Sequence, residues 1–574
     1  MRLAPKLVLP FVVAVALAPT VAAQNPGEVA SFRKIAVSTG FGPGGPGFGD
    51  TFGHAVAYLG DVDGDGVGDI AIGESRDDDA GFDAGAIWIC FLNLDGSVKA
   101  QRKITTGQGG FTGVLTTQAE FGSALVSMGD LDGDGVTDLA AGTFRDDDGG
   151  TDRGAVWILF LKSDGTVKAH QKISDTQGGF IGVLANGDGF GISVANMGDR
   201  DGDGVQDLAV GARFTDDGGA NRGAVWICRL NPNGTVKGFA EKISQTSGNF
   251  TGTLANDDVF GSGVAGIADV DGDGVNDLAV GAMQDDDGGA NGGAVWILFL
   301  NAHGGFNPPV KGQQKISATQ GGLNATLAGT NFGSTVTAFG DYDGDGVGDI
   351  GVGARLDGAG APGGTLWILL LKSDGTVKAA YPINETSGNF SGVLSSGDEF
   401  ANSISTMGDH DGDGKNDLLV GSWLEDDSST NDGAAYILRM SLSCPGTAVE
   451  YGDGCPGSGA FVPRLLPITC PVAGGQQVLR IDRALGSSVV AILFGVNQAA
   501  LPIGASGCFL NVAPIVGPSL VVPLGGAGPG NGTLTLSGVV PPSAVGLTAR
   551  MQAFVQDPVG LAGFVTTNGL ELQY

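Results

Sequence analysis

The stretch Asp61-Val-Asp63-Gly-Asp65-Gly-Val67-Gly-Asp69 places carboxylates at its first, third, fifth and ninth positions and glycine at its sixth. The same spacing returns five times, at Asp130, Asp132, Asp134 and Asp138; Asp199, Asp201, Asp203 and Asp207; Asp269, Asp271, Asp273 and Asp277; Asp341, Asp343, Asp345 and Asp349; and Asp409, Asp411, Asp413 and Asp417. The seventh residue of each copy, Val67, Val136, Val205, Val275, Val347 or Lys415, can turn its carbonyl toward the same centre. A shell of hard oxygen donors closed by a glycine turn suits calcium, so the pattern predicts about six structural Ca2+ ions. Without a cation, two carboxylates about 4 Å apart repel by about 4 kcal/mol at an intermediate dielectric. The twelfth position, where a helix-flanked calcium loop carries a bidentate Glu, holds Ile72, Ala141, Val210, Val280, Val352 and Val420. These loops therefore lead into strands.

The elements that must carry the loops follow from the repeat around them, whose copies start 68 to 72 residues apart. The second copy reads as four strands over 121–128, 138–143, 155–161 and 166–173. Its third strand, Ala155-Val-Trp157-Ile-Leu159-Phe-Leu161, is apolar on both faces and so must be covered on both. Sheets stacked around an axis provide that cover, which predicts an all-β chain built on a β-propeller of four-stranded blades. Repeats one to five end in a fourth strand marked by Lys103-Ile104, Lys172-Ile173, Lys242-Ile243, Lys315-Ile316 and Pro382-Ile383, whereas repeat six stops near Ser443. Phe32-Arg33-Lys34-Ile35 stands alone before repeat one, so an N-terminal strand is expected to close blade six and remove the open edges. The propeller then has six blades; a seventh from the C-terminal segment is the alternative, though that segment has no metal loop or Phe-Gly start.

Three segments are expected. Residues 1–23 read as a signal peptide, with Arg2 and Lys6 before the apolar run 7–18 and Val21-Ala22-Ala23 as a cleavage site; the mature chain would begin at Gln24. The apolar run is shorter than the ~20 residues a membrane span needs and contains Pro10. Residues 24–443 form the propeller. Residues 444–574 differ in composition, with Pro and Gly turns between apolar runs, and read as a small C-terminal β-sandwich. The protein is expected to be exported, either secreted or held at the cell surface.

Asp+Glu number 62 against Lys+Arg 30, a net charge of -32. Nucleic acid and anionic membranes are poor partners for such a chain. Much of the acidity belongs to the loops, and six divalent ions would bring the net charge to about -20.

Up-and-down strand order puts the metal loops, which join strands one and two, on one face. The opposite face receives the two-three loops and the long four-one loops, and is the candidate ligand surface. It carries the acidic runs 77–79, 146–148, Asp216-Asp217, 285–287 and 425–427, with Arg76, Arg145, Arg213 and Arg355 adjoining. These runs read either as solvated tips or as a site for cationic partners or further calcium. Phe111, Phe180, Phe250 and Phe390, in GGFTGVL-type segments, are expected to pin the four-one loops to the blades. Trp88, Trp157, Trp226, Trp296, Trp367 and Tyr436, one per third strand, read as core between blades, with sugar stacking as the alternative. Cys90 and Cys228 are expected to be buried free thiols. Cys444, Cys455, Cys470 and Cys508 suit two disulfides of an exported domain, and Cys444 with Cys455 and Cys470 with Cys508 is the favoured of three pairings.

The repeat resembles the FG-GAP repeats of integrin alpha-chain heads. Phe52-Gly53, Phe121-Gly122, Phe190-Gly191, Phe260-Gly261 and Phe332-Gly333 match its start, and Phe400-Ala401 is a weakened copy. The resemblance implies calcium in the loops and ligand binding on the face away from them, although integrin heads have seven blades with calcium in only some. In the tail, YGDGCPGSG from Tyr451, Gly507-Cys508, Gln552, Gln556-Asp557-Pro558 and Thr567-Asn568-Gly569-Leu570 resemble a C-terminal module of secreted planctomycete-type proteins. His54, His170, His303 and His410 occupy different repeats and read as surface or incidental residues, and no nucleophile elbow, HExxH or phosphate loop is present. The sequence thus points to a non-enzymatic binding or adhesion scaffold for an extracellular protein or glycan ligand. The alternatives are a calcium-dependent lectin and a hydrolase related to the FG-GAP-bearing phospholipases.

Overall fold

The computed structural model describes residues 27–38, 45–47, 49–303, 308–356, 363–411, 415–426, 430–440, 447–451, 462–467, 476–503, 508–515, 520–524, 532–539, 548–561 and 564–573. The expected signal segment and Gln24, loop residue Asp413, Asp427, Gly507, Cys444, Cys455, Cys470 and the motif that follows Tyr451 lie outside them. The chain divides into two compact units, one spanning Pro26–Ser441 and one containing Leu442–Tyr574. Every regular element among the described residues is a β-strand. No helix there is long and apolar enough to cross a membrane.

The first unit begins with β1 (Val29–Ala36) and continues with β2 (Phe52–Gly60), β3 (Asp69–Glu74), β4 (Ala86–Leu92) and β5 (Val98–Ile104), which form a four-stranded antiparallel sheet in that order. The pattern repeats with β6 (Ala124–Gly129), β7 (Asp138–Thr143), β8 (Ala155–Leu161) and β9 (Val167–Ser174), then with β10 (Phe190–Asn196), β11 (Leu208–Ala212), β12 (Ala224–Cys228) and β13 (Glu241–Ser244). Two further sheets follow, β14 (Phe260–Ile267), β15 (Asp277–Ala282), β16 (Ala294–Leu300) and β17 (Val310–Ile316), and β18 (Phe332–Gly340), β19 (Asp349–Ala354), β20 (Thr365–Leu371) and β21 (Val377–Ile383). The last sheet holds β22 (Phe400–Gly408), β23 (Asp417–Ser422) and β24 (Ala434–Met440), with β1 in fourth place. There β1 runs antiparallel to β24, Phe32 opposite Leu438 and Lys34 opposite Tyr436. These four-stranded sheets are consistent with propeller blades.

Glycine lets the sheets approach. A Cβ on Gly73 of β3 would sit 2.0 Å from the carbonyl oxygen of Gly122 in the next repeat, and one on Gly421 of β23 would sit 2.2 Å from that of Gly53 in the first. Gly122 itself holds φ +86°, a conformation side chains resist. The first strands then pack in sequence, β2 on β6, β6 on β10, β10 on β14, β14 on β18, β18 on β22 and β22 on β2. One expected boundary shifts: the first strand of the second repeat starts at Ala124, not at residue 121. Positive φ at Glu120 and Gly122 kinks the chain there, and Phe121 instead bridges Gly85 of the preceding sheet in parallel.

Between the sheets lie the third-strand aromatics. Trp88, Trp157, Trp226, Trp296 and Tyr436 are buried, which leaves those five no face for stacking sugars, and Trp367 is partly buried against the same kind of core. Phe111 meets Trp157 edge-on at 5.1 Å, Phe180 meets Trp226 at 5.1 Å and Phe250 meets Trp296 at 5.0 Å, so the four-one loops are pinned as expected. Cys90 and Cys228 are free and buried.

In the second unit β25 (Thr447–Tyr451), β26 (Arg464–Pro467), β27 (Gln476–Ala484), β28 (Val489–Ile503), β29 (Cys508–Ile515), β30 (Leu520–Pro523), β31 (Gly532–Val539), β32 (Thr548–Leu561) and β33 (Phe564–Gln573) form two sheets. One runs β25-β33-β32-β28-β29 with β30 also on β28, and the other runs β26-β27-β31. Leu465 and Ile481 of the smaller sheet share a core with Val490, Met551, Val565 and Leu570 of the larger. Residues of the tail motifs tie this unit's backbone together: buried Gln552 accepts from Asn511 N and donates to Thr567 O, both at 2.8 Å. Asn568 bonds both the N–H and the carbonyl of Leu465 across the sheets, at 2.8 and 3.0 Å.

Candidate metal loops and a cavity at the other end of the strands

In the first five repeats the acidic loop curls around its first carboxylate. Asp61 Oδ1 accepts from Gly64 N at 2.7 Å and Asp65 N at 3.0 Å, and its Oδ2 accepts from Gly66 N at 2.8 Å. The loops opened by Asp199 and Asp269 repeat all three bonds. Ligand oxygens of Asp61, Asp63 and Asp69 fall within 4.8 Å of one another, as do those of Asp130, Asp132 and Asp138; Asp199, Asp201 and Asp203; and Asp269, Asp271 and Asp273. Such a convergent, all-oxygen set fits a calcium ion.

The ninth carboxylate also has a second role. Asp69 is fully buried; its Oδ2 accepts from Val62 N and its Oδ1 from Leu92 N, both at 3.0 Å, tying the loop to the end of the third strand. Asp138, Asp207, Asp277, Asp349 and Asp417 make the equivalent pair of bonds. Burial pushes Asp69, Asp138, Asp207, Asp277 and Asp349 up to about 6.

A lysine at the start of the fourth strand, or just before it in the third sheet, reaches the carboxylates at positions three and five of the loop. Lys99 Nζ lies 2.9 Å from Asp63 and pairs with Asp65; Lys237 lies 2.8 Å from Asp201 and 2.7 Å from Asp203; Lys378 lies 2.7 Å from both Asp343 and Asp345. Lys168 and Lys311 do the same for Asp132 with Asp134 and Asp271 with Asp273. Hydrogen bonds from these lysines hold Asp134, Asp203, Asp273 and Asp345 below the usual carboxylate range. The sixth sheet differs: Ala30 of β1 stands where the others have lysine, and Arg439 approaches Asp411 at 3.9 Å. The sequence reading missed these lysines, although a Val-Lys pair recurs at 98–99, 167–168, 236–237, 310–311 and 377–378.

At the other end of the strands the acidic runs are partly neutralised from within. Asp77, Asp146 and Asp285 are buried against Lys103, Lys172 and Lys315, with Lys172 2.7 Å from Asp146 and Lys315 2.8 Å from Asp285. Lys242 pairs with Asp217 at 2.7 Å, and each of these lysines also lies over its sheet's tryptophan. The arginines that adjoin the runs point elsewhere. Arg76, Arg145, Arg213 and Arg355 line a cavity of about 290 Å³ whose wall takes residues from all six first strands, among them Val56, Leu125, Val194, Val264, Val336 and Ile404. Glu120 and Glu399 share it, Glu120 3.3 Å from Arg145 and Glu399 2.9 Å from Arg355. His54 is in the same wall, stacked on Trp423 at 4.3 Å and bonded through Nδ1 to Ser75 Oγ. The expectation that His54 is a surface or incidental residue is thus narrowed: it is half-buried in the cavity wall. Burial and the charges of Arg355, Arg76 and Arg213 push it down to about 3.

A chain of repeated four-stranded antiparallel sheets, each with an acidic loop between its first two strands, defines a class of propeller-type repeat protein. Residues 121–159 and 260–298 match the FG-GAP repeat family. The chain is also similar to integrin alpha-5 of Xenopus laevis, 30% identical over 252 residues, which is 43% of this chain and 23% of that protein. It is 29% identical to integrin alpha pat-2 of Caenorhabditis briggsae over 331 residues, 55% of this chain and 24% of the relative. Integrin alpha-PS5 of Drosophila melanogaster is 34% identical over 163 residues, 28% of this chain and 15% of the relative. The chain therefore spans no more than about a quarter of these relatives' length. Repeats and relatives together support an FG-GAP β-propeller.

Proposed function

We propose that residues 24–443 form a closed six-bladed propeller, stabilised by calcium in its strand one-two loops, that acts as an exported binding or adhesion scaffold. The observation that carries this reading is the loop itself: carboxylates converge within 4.8 Å in the same loop of four repeats, ahead of second strands that begin at or just after the buried carboxylate of position nine. The cyclic packing of first strands, β22 returning to β2, supports ring closure by β1. Residues 444–574 form a β-sandwich module, and the N-terminal segment directs export.

The ligand surface is the face away from the loops. There Val114, Val183 and Val393, at equivalent places in the four-one loops, stand 73%, 80% and 77% exposed, on the face to which the strand order also assigns the acidic runs. A protein or glycan with apolar and cationic groups fits such a surface. Arrays of glycans and of extracellular proteins, probed with the full chain in calcium and again in chelator, test the reading. Calcium-dependent binding that is lost on Val114→Asp with Val183→Asp supports it. Binding indifferent to those changes, or none on either array, contradicts it, and binding restricted to glycans makes the protein a lectin.

A further inference from the structure

The cavity concentrates positive charge in a chain whose net charge is -32. Four arginines and two glutamates line it, and each glutamate already has its own arginine, Glu120 with Arg145 and Glu399 with Arg355. That leaves two cationic side chains over. Arg76 lies over the Trp423 ring at 5.3 Å and Arg213 over the Phe214 ring at 4.7 Å, contacts with an aromatic face that leave the guanidinium forks open. Arg213 has no hydrogen bond or ion pair among the described residues, and its Nε, like that of Arg355, is shut off from solvent with no acceptor. A guanidinium that buries its Nε without an acceptor, with Glu120 as its one nearby opposite charge already paired to Arg145, is unfavourable, and an anion in the cavity would relieve it. Burial, with Arg355 adding repulsion, pushes Arg213 down to about 9, which still leaves it charged at neutral pH.

We propose that this cavity binds a small dianionic oxyanion, a sulfate, a phosphate or a short dicarboxylate, between Arg76 and Arg213 with Arg145 and Arg355 flanking it. The charge excess of two matches a dianion. The guanidinium fork pairs bidentately with planar carboxylates and tetrahedral oxyanions alike. A volume of about 290 Å³ lies at the lower end of small-ligand sites and limits the ligand to a few carbons. His54, held neutral, adds no charge and closes the wall with Trp423. The site is separate from the metal loops and from the adhesion reading, and it stands if that reading fails.

The test is calorimetric titration of the full chain, in chloride buffer at constant ionic strength, with sodium sulfate and separately with sodium succinate. One saturable site for at least one of these anions, with a rise in melting temperature that chloride does not give, is expected. Sulfate alone would mark the site as tetrahedral, succinate alone as a dicarboxylate site, and either supports it. Arg213→Met is expected to weaken binding at least tenfold while the unliganded protein melts no lower, because the substitution removes an unpaired charge. Should that variant not fold, Arg76→Gln is expected to weaken binding at least fivefold. No saturable binding of either anion, or wild-type affinity in a folded Arg213→Met or Arg76→Gln variant, overturns the proposal.

Discussion

At one end of the sheets, four carboxylates gather within nine consecutive residues, and the arrangement is made again in each repeat. At the other end, four arginines from four separate sheets gather around one shared cavity. The loops are local, so a repeated segment multiplies them unchanged. The cavity is shared, so its character comes from the places where repeats differ: two residues past the second-strand glycine stand Ser75, Phe144, Arg213, Met283, Arg355 and Trp423. Identical side chains there would have stacked like charges around one centre. Variation lets arginine, glutamate and aromatic groups share it.

Both ends depend on the glycine contacts, so breaking one should abolish the difference altogether. Gly142→Val would force a side chain against the Gly191 carbonyl, 2.0 Å from its Cβ, at a cost above about 3 kcal/mol. Loss of soluble, cooperatively melting protein is expected, and a variant that melts within a degree of wild type would mean the sheets do not pack this closely.

A sharper separation lies within one loop. Asp138→Ala leaves the buried N–H groups of Leu131 and Leu161 without acceptors, at about 1–3 kcal/mol each, and should destabilise the protein with or without calcium. Asp134→Ala, on an exposed carboxylate, should lower the melting temperature chiefly in calcium. Equal losses for Asp134→Ala in calcium and in chelator would deny it a metal role.

The two ends also respond to pH with opposite sign. His54 is held at about 3, below the 6.5 of an ordinary imidazole, so its contribution is full above pH 6.5 and is lost as pH falls toward 3. By linkage that amounts to about 3 kcal/mol at pH 4, and His54→Phe should flatten the melting temperature between pH 4 and 6.5. Asp69 and its equivalents are raised to about 6, so their contribution in chelator is full below pH 3.8 and is lost as pH rises through 6. An unchanged pH profile in His54→Phe would place that histidine in solvent.

The smallest expected effect concerns the lysines. Lys168 competes with any cation for Asp132 and Asp134, so Lys168→Met should tighten calcium binding at that loop by a few-fold and lower stability slightly in chelator. Weaker calcium binding in this variant would instead make the lysine part of the site's support.

Much of this was legible in the sequence because periodicity reports local chemistry directly. The loop spacing, the doubly apolar third strand, the solitary Phe32-Arg33-Lys34-Ile35 and the pinning Phe111 each led to the element or contact observed. Convergence across repeats was not legible. Arg145 and Arg213 follow their second strands at offsets that differ by one residue, so no alignment of repeats groups them, and His54 gave no sign that Trp423, far along the chain, would bury it. The acidic runs misled for a similar reason: Lys103 and Lys172, which neutralise Asp77 and Asp146, lie 26 residues downstream.

Whether the loops are structural calcium sites is read most directly by a calorimetric calcium titration of the purified chain from Gln24 onward, paired with melting curves in calcium and in chelator. About six ions bound, with a large rise in melting temperature, is the result the account predicts, because ions that bind only the folded state stabilise it by mass action. Binding of one or two ions, or no stabilisation by calcium, would contradict it.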